Sequence, residues 1–322
     1  MKQRVLIPGM GGQLGTNVAR WLEQHSDVAI CGLDLEPPRR WMRRAEFHFV
    51  RPTDAERIAE VVDEFQPTAL AFLWTFEPHS RATPTAAEEQ TAVGWRNVAD
   101  ALAESADLDT IVVRSGLEVY GGRGGTTYST TSPITPTCRF GRMLAAVESG
   151  AGELAEATGA SVAALRLGPI SGANMPSPLG RYLRLPVVPI PLRQKPFTVI
   201  HQFDAAAAIA RAVEVRYDGV LNVVADGTMT PGRAVLTGGR FPLPTVGPFL
   251  SVTRLVTELL GGPLPDHTRE LLQNGRVAEA SDLSAVLGLD LAYDAAAVIR
   301  DLYSWGSVQP VAAADTEESS AV

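Results

Sequence analysis

The sequence predicts a doubly wound α/β fold, a parallel sheet between layers of helices with a smaller C-terminal region beside it. Three observations predict it. A short apolar run at 5–7 (VLI) enters glycines at 9, 12 and 15, and residues 16–25 leave them with apolar positions at helical spacing. A second apolar run, 28–33 (VAICGL), ends on an aspartate. Strand-like and helix-like stretches then alternate as far as residue 167, which is the pattern of parallel βαβ units.

The run at 5–7 has no room for a helix and reads as a buried strand. A strand that turns on glycines into a helix gathers free backbone N–H groups at a helix N-terminus. That geometry suits a pyrophosphate, and Gly9, Gly12, Gln13, Leu14 and Gly15 are its candidate cradle. The spacing Gly-x-x-Gly-x-x-Gly is one residue longer than the common dinucleotide fingerprint, and an ordinary tight turn opening a helix uses the same residues. Asp34 adds context. An acidic side chain about 20 positions beyond the turn, at the end of the second strand, is placed to accept ribose hydroxyls; a strand-end aspartate capping a turn is the plainer explanation. Arg39, Arg40, Arg43 and Arg44 follow, either as a solvated loop or as partners for a 2′-phosphate that Asp34 would repel. NAD is therefore the expected cofactor and NADP the alternative.

Strands are expected at 47–50, 69–76, 110–113 and 161–167, and helices at 54–65 (capped by Asp54), 88–105 and 140–158, with a Gly/Ser/Thr/Pro-rich loop at 121–136. From Gly168 prolines recur as far as Pro196, so regular structure is interrupted. A helix at 204–215 and a strand at 220–224 read as a return to the sheet. The expected division is a dinucleotide-binding domain over 1–167, rejoined by 197–226. A substrate-binding region spans 168–196 and 227–306, and a disordered tail 307–322. Within that region 231–248 reads as loop, and 250–260, 269–274 and 295–303 as helical.

Hydrophobic residues make up 45% of the 322, enough for a full core. A net charge of −8 argues against nucleic acid as a partner. Cys31 and Cys138 show no pairing pattern, and no Cys/His spacing predicts a metal. The start reads as a strand rather than a leader, and no apolar run nears the ~20 residues a membrane span needs. A cytoplasmic protein away from membranes is expected.

Placed in order, these pieces resemble the extended short-chain dehydrogenase/reductases, in particular the NAD-dependent epimerase/dehydratase group, with its Rossmann-like fold. Besides the glycine turn and Asp34, the matching segments are TAVGWRN (91–97), VRSGLEVYG (113–121), LRLGPISG (165–172), FTVIHQFDAAAAIARAVE (197–214) and GVLNVVADG (219–227). The resemblance implies a nucleotide-sugar or other small-molecule substrate and a homodimer. It also implies a Ser or Thr that polarises the substrate oxygen, a Tyr that transfers its proton, and a Lys four residues later that lowers the phenol's pKa.

Aligned on these segments, those three positions hold Gly116, Phe140 and Leu144. No lysine occurs between Lys2 and Lys195, so no shift of register restores a Tyr-x-x-x-Lys pair. Candidate replacements are thin. Glu118 stands where dehydratases carry a proton-abstracting glutamate, and Tyr128, Cys138, Arg139 and Arg142 fall on the expected substrate-facing loop and helix start. Ser115 alternates to the opposite face of its strand, Tyr120 is expected to pack, and His79 and His201 stand alone. The run FLWTF at 72–76 replaces small residues near the cofactor, and either fills part of the nicotinamide pocket or packs into the core. Two readings stay open: an atypical enzyme that works without Tyr-Lys chemistry, and a non-catalytic dinucleotide-binding sensor or scaffold. An epimerase, dehydratase or reductase with substituted catalytic residues is the third.

Overall fold

The computed structural model of the chain describes residues 3–78, 83–105, 107–122, 124–245 and 264–304. The first strand, β1 (Arg4–Pro8), passes through the glycine turn into α1 (Gln13–His25). Next come β2 (Ala29–Asp34), β3 (Ala45–Phe49), α2 (Ala55–Phe65) and β4 (Ala69–Phe72). The chain continues through α3 (Pro84–Leu102), β5 (Thr110–Gly116), a 3₁₀ turn (Leu117–Tyr120), β6 (Thr127–Tyr128), α4 (Arg139–Thr158) and β7 (Ser161–Leu167). Shorter elements follow: β8 (Ile170–Ser171), α5 (Pro178–Leu183), β9 (Val187–Pro191) and β10 (Ile200–His201). The described elements conclude with α6 (Gln202–Glu214), β11 (Gly219–Val223), α7 (Pro231–Thr237), β12 (Phe241–Thr245), α8 (Asp266–Asn274), β13 (Val277–Ala278), α9 (Leu283–Leu287) and α10 (Ala295–Ser304).

Seven strands form the central sheet in the order β11–β7–β5–β4–β1–β2–β3, every neighbouring pair parallel. The chain winds outward from β1 in one direction and from β4 in the other, so a crevice opens at the C-terminal ends of those two strands. Side chains alternate across the sheet. Val5, Ile7, Ala69 and Ala71 pack with Val18, Leu22, Ala205 and Ile209 of α1 and α6. Leu6, Leu70, Phe72 and Trp74 face the other way, toward Ile58, Val61, Val98 and Leu102 of α2 and α3. A separate core of Leu179, Tyr182, Ile190, Val235, Leu271 and Ile299 holds α5, β9, α7, α8 and α10 together.

Local sequence explains where the elements differ from expectation. β4 ends at Phe72 rather than 76; Phe72 and Trp74 are fully buried core residues, which answers the question the aromatic run raised. α3 starts at Pro84, not 88, because Thr83 caps it by accepting from the Ala86 N–H and proline suits the first helical position. The stretch read as loop from 231 holds α7, capped in the same way by Thr230. It also holds β12, whose prolines 242 and 244 are no obstacle. Alternate residues present their N–H groups to the same edge, so both prolines leave the edge paired with β9 intact, and Phe241 N–H donates to the Pro186 carbonyl at 3.1 Å. The expected helix at 250–260 and the tail lie outside the described residues. No described helix is long and apolar enough to cross a membrane.

One buried ion pair fixes α4 against the sheet. Arg166 on β7 holds the Glu148 carboxylate with two hydrogen bonds, at 3.0 and 2.7 Å, and donates to the Tyr120 hydroxyl at 2.9 Å. Both charged side chains are less than a tenth exposed. Ser115, facing away from the crevice, also donates to Glu148. Removing one partner strands the other charge, so Glu148→Ala is expected to lower stability by about 3–5 kcal/mol in denaturant titrations, while Glu148→Leu with Arg166→Met recovers most of that loss.

A second pair joins β10 to α10. His201 Nε2 lies 3.0 Å from Asp301 Oδ2, which also accepts from the Ala173 N–H at 2.7 Å. Burial works to raise the Asp301 carboxyl, but these hydrogen bonds and the His201 charge hold it below the usual aspartate range. A lowered folded value gives stability that is complete above the ordinary pKa of 3.8 and disappears as pH falls through the folded one. Asp301→Asn is therefore expected to make acid unfolding less steep below that pH, measured by circular dichroism.

Candidate functional site

The glycine turn is shaped partly by the protein's own packing and partly by open space. Gly9 has φ +96°, and a Cβ there would lie 2.7 Å from the Leu73 carbonyl carbon. A Cβ on Gly15 would overlap the Gly9 carbonyl oxygen, and one on Gly11 the Glu36 carbonyl oxygen. Gly12 differs. It is exposed, and a side chain there would meet nothing nearer than Gly9 O at 3.4 Å. Gly12 is also the N-cap of α1, with no side chain capping the helix and no acidic residue in its first turn, where Gln13 and Leu14 present their N–H groups. This end of α1 is an uncapped donor array open to an anion.

Asp34 closes the same cradle. Its Oδ2 accepts from the Gly11 N–H at 3.0 Å and its Oδ1 from the Leu35 N–H at 2.7 Å. Burial pushes the carboxyl up, and backbone donors at Leu35, Gly11 and Gly12 pull it back. Gly9, Gly12, Gln13, Leu14 and Gly15 thus lie in one turn with Asp34 beside it. Gly11, which was not singled out, is the residue that joins Asp34 to the turn. Arg39, Arg40, Arg43 and Arg44 are all exposed, and the backbone N–H groups of the last two donate to Glu23 on α1.

The second half of the site lies at the C-terminal end of β5. A cavity of about 30 Å³, room for roughly two waters, is lined by Gly116, Phe140, Glu118, Arg114, Glu77 and His267 among others. Phe140 comes from the start of α4, which Cys138 caps by accepting from the Gly141 N–H. Burial, then the nearby Glu118, pushes the Cys138 thiol up to about 11. Leu144, one helical turn past Phe140, is fully buried, and its Cδ1 would lie 3.1 Å from a Cβ on Gly116. The structure therefore brings Gly116, Phe140 and Leu144 together.

Polar groups surround this apolar wall. Arg114 donates to Thr75 Oγ1 at 2.8 Å, and its guanidinium carbon sits 5.3 Å from the centre of the Phe140 ring. Burial lowers its pKa, against the pull of Glu77 and Glu118. His267 Nε2 lies 3.0 Å from Glu77 Oε1, and its ring is 4.8 Å from that of Phe140. Glu118 is tied to the fully buried Arg276 at 3.1 Å, and Arg276 also holds Glu270 at 2.9 Å.

Four expected contacts do not line this pocket: Cys138 caps α4, Arg139 donates to the Thr85 hydroxyl at 2.9 Å, and Tyr128 and Arg142 point elsewhere. Tyr128 is buried in β6, where it stacks on Tyr120 with ring centres 5.0 Å apart. Arg142 is exposed, and its guanidinium turns back to the Thr137 carbonyl, because successive helix positions point about 100° apart and Phe140 takes the inward one. His201 is structural, as described above, and His79 lies outside the described residues. Sequence reasoning missed Glu77, Arg114, His267 and Arg276. Arg114 had a signal, a lone charge inside the buried strand IVVRSG; His267 and Arg276 arrive from far along the chain and had none.

Fold and site together define a dinucleotide-fold α/β protein whose glycine turn shares the C-terminal end of the sheet with a mixed polar and aromatic pocket. The model of the NAD dependent epimerase/dehydratase family matches residues 5–185, and the chain belongs to that family. Solved structures with the same fold include UDP-glucose 4-epimerase from Brucella ovis in complex with NAD (TM-score 0.73, 18% identity, covering 94% of this chain and 98% of that one). The UDP-glucose 4-epimerase of Thermus thermophilus, also with NAD, gives a TM-score of 0.71 at 20% identity, over 94% and 98% of the two chains. An uncharacterized protein of Mycobacterium tuberculosis is 28% identical over 155 residues, 47% of this chain and 41% of that protein. The chain thus spans about two fifths of the curated relatives it matches.

The two kinds of glycine separate by measurement. Gly9→Ala, strained in φ and against Leu73, is expected to cost about 1–3 kcal/mol of stability, whereas Gly12→Ala should leave the melting temperature nearly unchanged.

Proposed function

We propose that the protein binds NAD through the Gly9–Gly15 turn and Asp34, and uses it on a small molecule or nucleotide sugar in the adjoining pocket without Tyr-Lys chemistry. The observation that carries this reading is the state of the pocket. Gly116, Phe140 and Leu144 occupy the positions where family resemblance implies the hydroxyl, phenol and ammonium, yet the pocket keeps Arg114, Glu118 and the His267–Glu77 pair. Fit to the dinucleotide rests on Gly12, exposed and free of internal packing, beside the uncapped donors of α1. Bound there, NAD would supply a hydride acceptor or donor. The chain's own residues would do the rest. The first turn of α1 would hold the pyrophosphate, Asp34 the adenosine ribose, and Arg114 would oppose negative charge developing on a substrate oxygen. His267 would hold or release the proton, oriented by Glu77. A homodimer and a cytoplasmic setting belong to the same reading.

A specific observation favours the second reading, a sensor or scaffold: the positions where the resemblance implies the hydroxyl, phenol and ammonium hold Gly116, Phe140 and Leu144, none of which can transfer a proton.

Calorimetry with NAD decides the first step. Binding is expected for the wild-type chain and is expected to be lost in Gly12→Val, which still folds. Hydride exchange against a panel of nucleotide sugars then separates enzyme from sensor. Once a substrate is found, His267→Gln and Glu77→Gln are each expected to lower kcat by about 10²–10⁴-fold with NAD affinity unchanged. Turnover equal to wild type in both would remove the pair from the reaction.

A further inference from the structure

The edge of the sheet carries a cluster that neither the glycine turn nor the pocket uses. β2 and β3 pair in parallel with Cys31 opposite Glu46. His48, two residues beyond Glu46, falls on the same face because side chains alternate along a strand. The Cys31 thiol, a Glu46 carboxylate oxygen and a His48 ring nitrogen all lie within 4.8 Å of one another. No motif announced this. Cys31 is separated from the other two by the β2–β3 connection, and strand register alone makes them neighbours.

The setting is that of a half-open ligand set. Cys31 is fully buried on the α2 side of the sheet, while the His48 and Glu46 side chains are 22% and 52% exposed, because β3 is the outermost strand. Burial, then Glu46 and Glu64, holds the thiol above its usual range, so without an ion it is protonated. A positive ion reverses that balance, since a coordinating thiol gives up its proton to solvent and the surrounding carboxylates then favour the bound state. One group competes. Arg57 on α2 lies 3.2 Å from His48 Nδ1 and pairs with Glu60. An arginine can only donate, so it fixes Nδ1 as the acceptor and leaves the proton on Nε2, facing Glu46 at 3.6 Å. Metal binding through Nε2 needs the proton on the other nitrogen, and Arg57, itself part-exposed, must swing away.

We propose that Cys31, Glu46 and His48 form a binding site for a borderline divalent ion of the Zn²⁺ type. One thiolate, one imidazole and one carboxylate make a mixed set that Mg²⁺ and Ca²⁺ do not favour and Zn²⁺ or Co²⁺ do, with water as a fourth ligand. The ion would clip the edge strand to β2, three residues before Asp34, and so brace the ribose end of the cradle.

The test uses the full-length chain, stripped with a chelator and titrated with Co²⁺ alone. A near-ultraviolet thiolate-to-cobalt absorption saturating at one ion per chain is expected, and Zn²⁺ should displace it. Cys31→Ser should abolish the band. His48→Gln, at a side chain that can be replaced without opening the core, should weaken binding by at least about tenfold. Arg57→Gln should tighten it. Absence of the band in the wild-type chain, its persistence in Cys31→Ser, or unchanged cobalt affinity in His48→Gln overturns the site. Because NAD plays no part in the titration, the result is independent of the function proposed above.

Discussion

A guanidinium with no access to solvent organises the region where chemistry would occur. Arg276 sits just before β13 and donates to Glu118, to Glu270 and to the Gly121 carbonyl. Its backbone carbonyl accepts from the Thr198 N–H at 2.9 Å. One residue therefore joins the end of β5, the loop beyond it, α8 and the segment leading to β10. Without it Glu118 and Glu270 would face each other across a desolvated space with nothing between them. With it, Glu118 is a structural anion first, and its position beside the pocket follows from that role. α8 is therefore held by this contact through Glu270 and by the His267–Glu77 hydrogen bond as well as by apolar packing.

The turn and the pocket are mechanically one structure. Gly9 lies against the Leu73–Trp74 backbone, which continues to Thr75, and Thr75 receives Arg114 from β5. Any ligand that shifts the turn presses on the same short segment that fixes the pocket's cation. Trp74 explains the firmness of this link. Its side chain points into the core under α3, where a Cβ on Gly94 would lie 3.3 Å from the indole. Phe72 and Trp74 thus brace this segment from the α3 side of the sheet.

Much of this was legible in the sequence, for a physical reason. The sheet is built from local signals: β7 matches its expected span of 161–167, and Asp54 caps α2 by accepting from the Arg57 N–H at 3.2 Å. The glycine turn and Asp34 were legible because strand, turn and helix are contiguous, with the acidic residue one strand away. The polar half of the pocket was not. Glu77 and His267 are 190 positions apart, and Arg276 meets Glu118 across 158. Such pairs depend on how the C-terminal segments dock, which neither periodicity nor spacing encodes. The burial of Tyr128 was illegible for the same reason, since its partner strand β13 lies far downstream.

The apolar wall of the pocket follows its own logic. In the family's chemistry the ammonium exists to stabilise a phenolate, so the two groups are coupled. If Phe140 stands at the phenol's position, as the resemblance implies, a lysine at 144 would be a buried cation with no partner, costlier than no charge at all. Leu144, wholly enclosed against Leu117, Phe140 and Val119, is what such a position favours once the phenol is absent. The cation that remains near the ring, Arg114, approaches from the strand side and is anchored by Thr75, so it does not depend on a phenolate for its place. Arg114, held by Thr75, and His267, held by Glu77, both lie beside the Phe140 ring, the guanidinium carbon 5.3 Å and the imidazole 4.8 Å from its centre. Under the reading proposed above, such an arrangement would divide between two groups what a tuned phenol does through one.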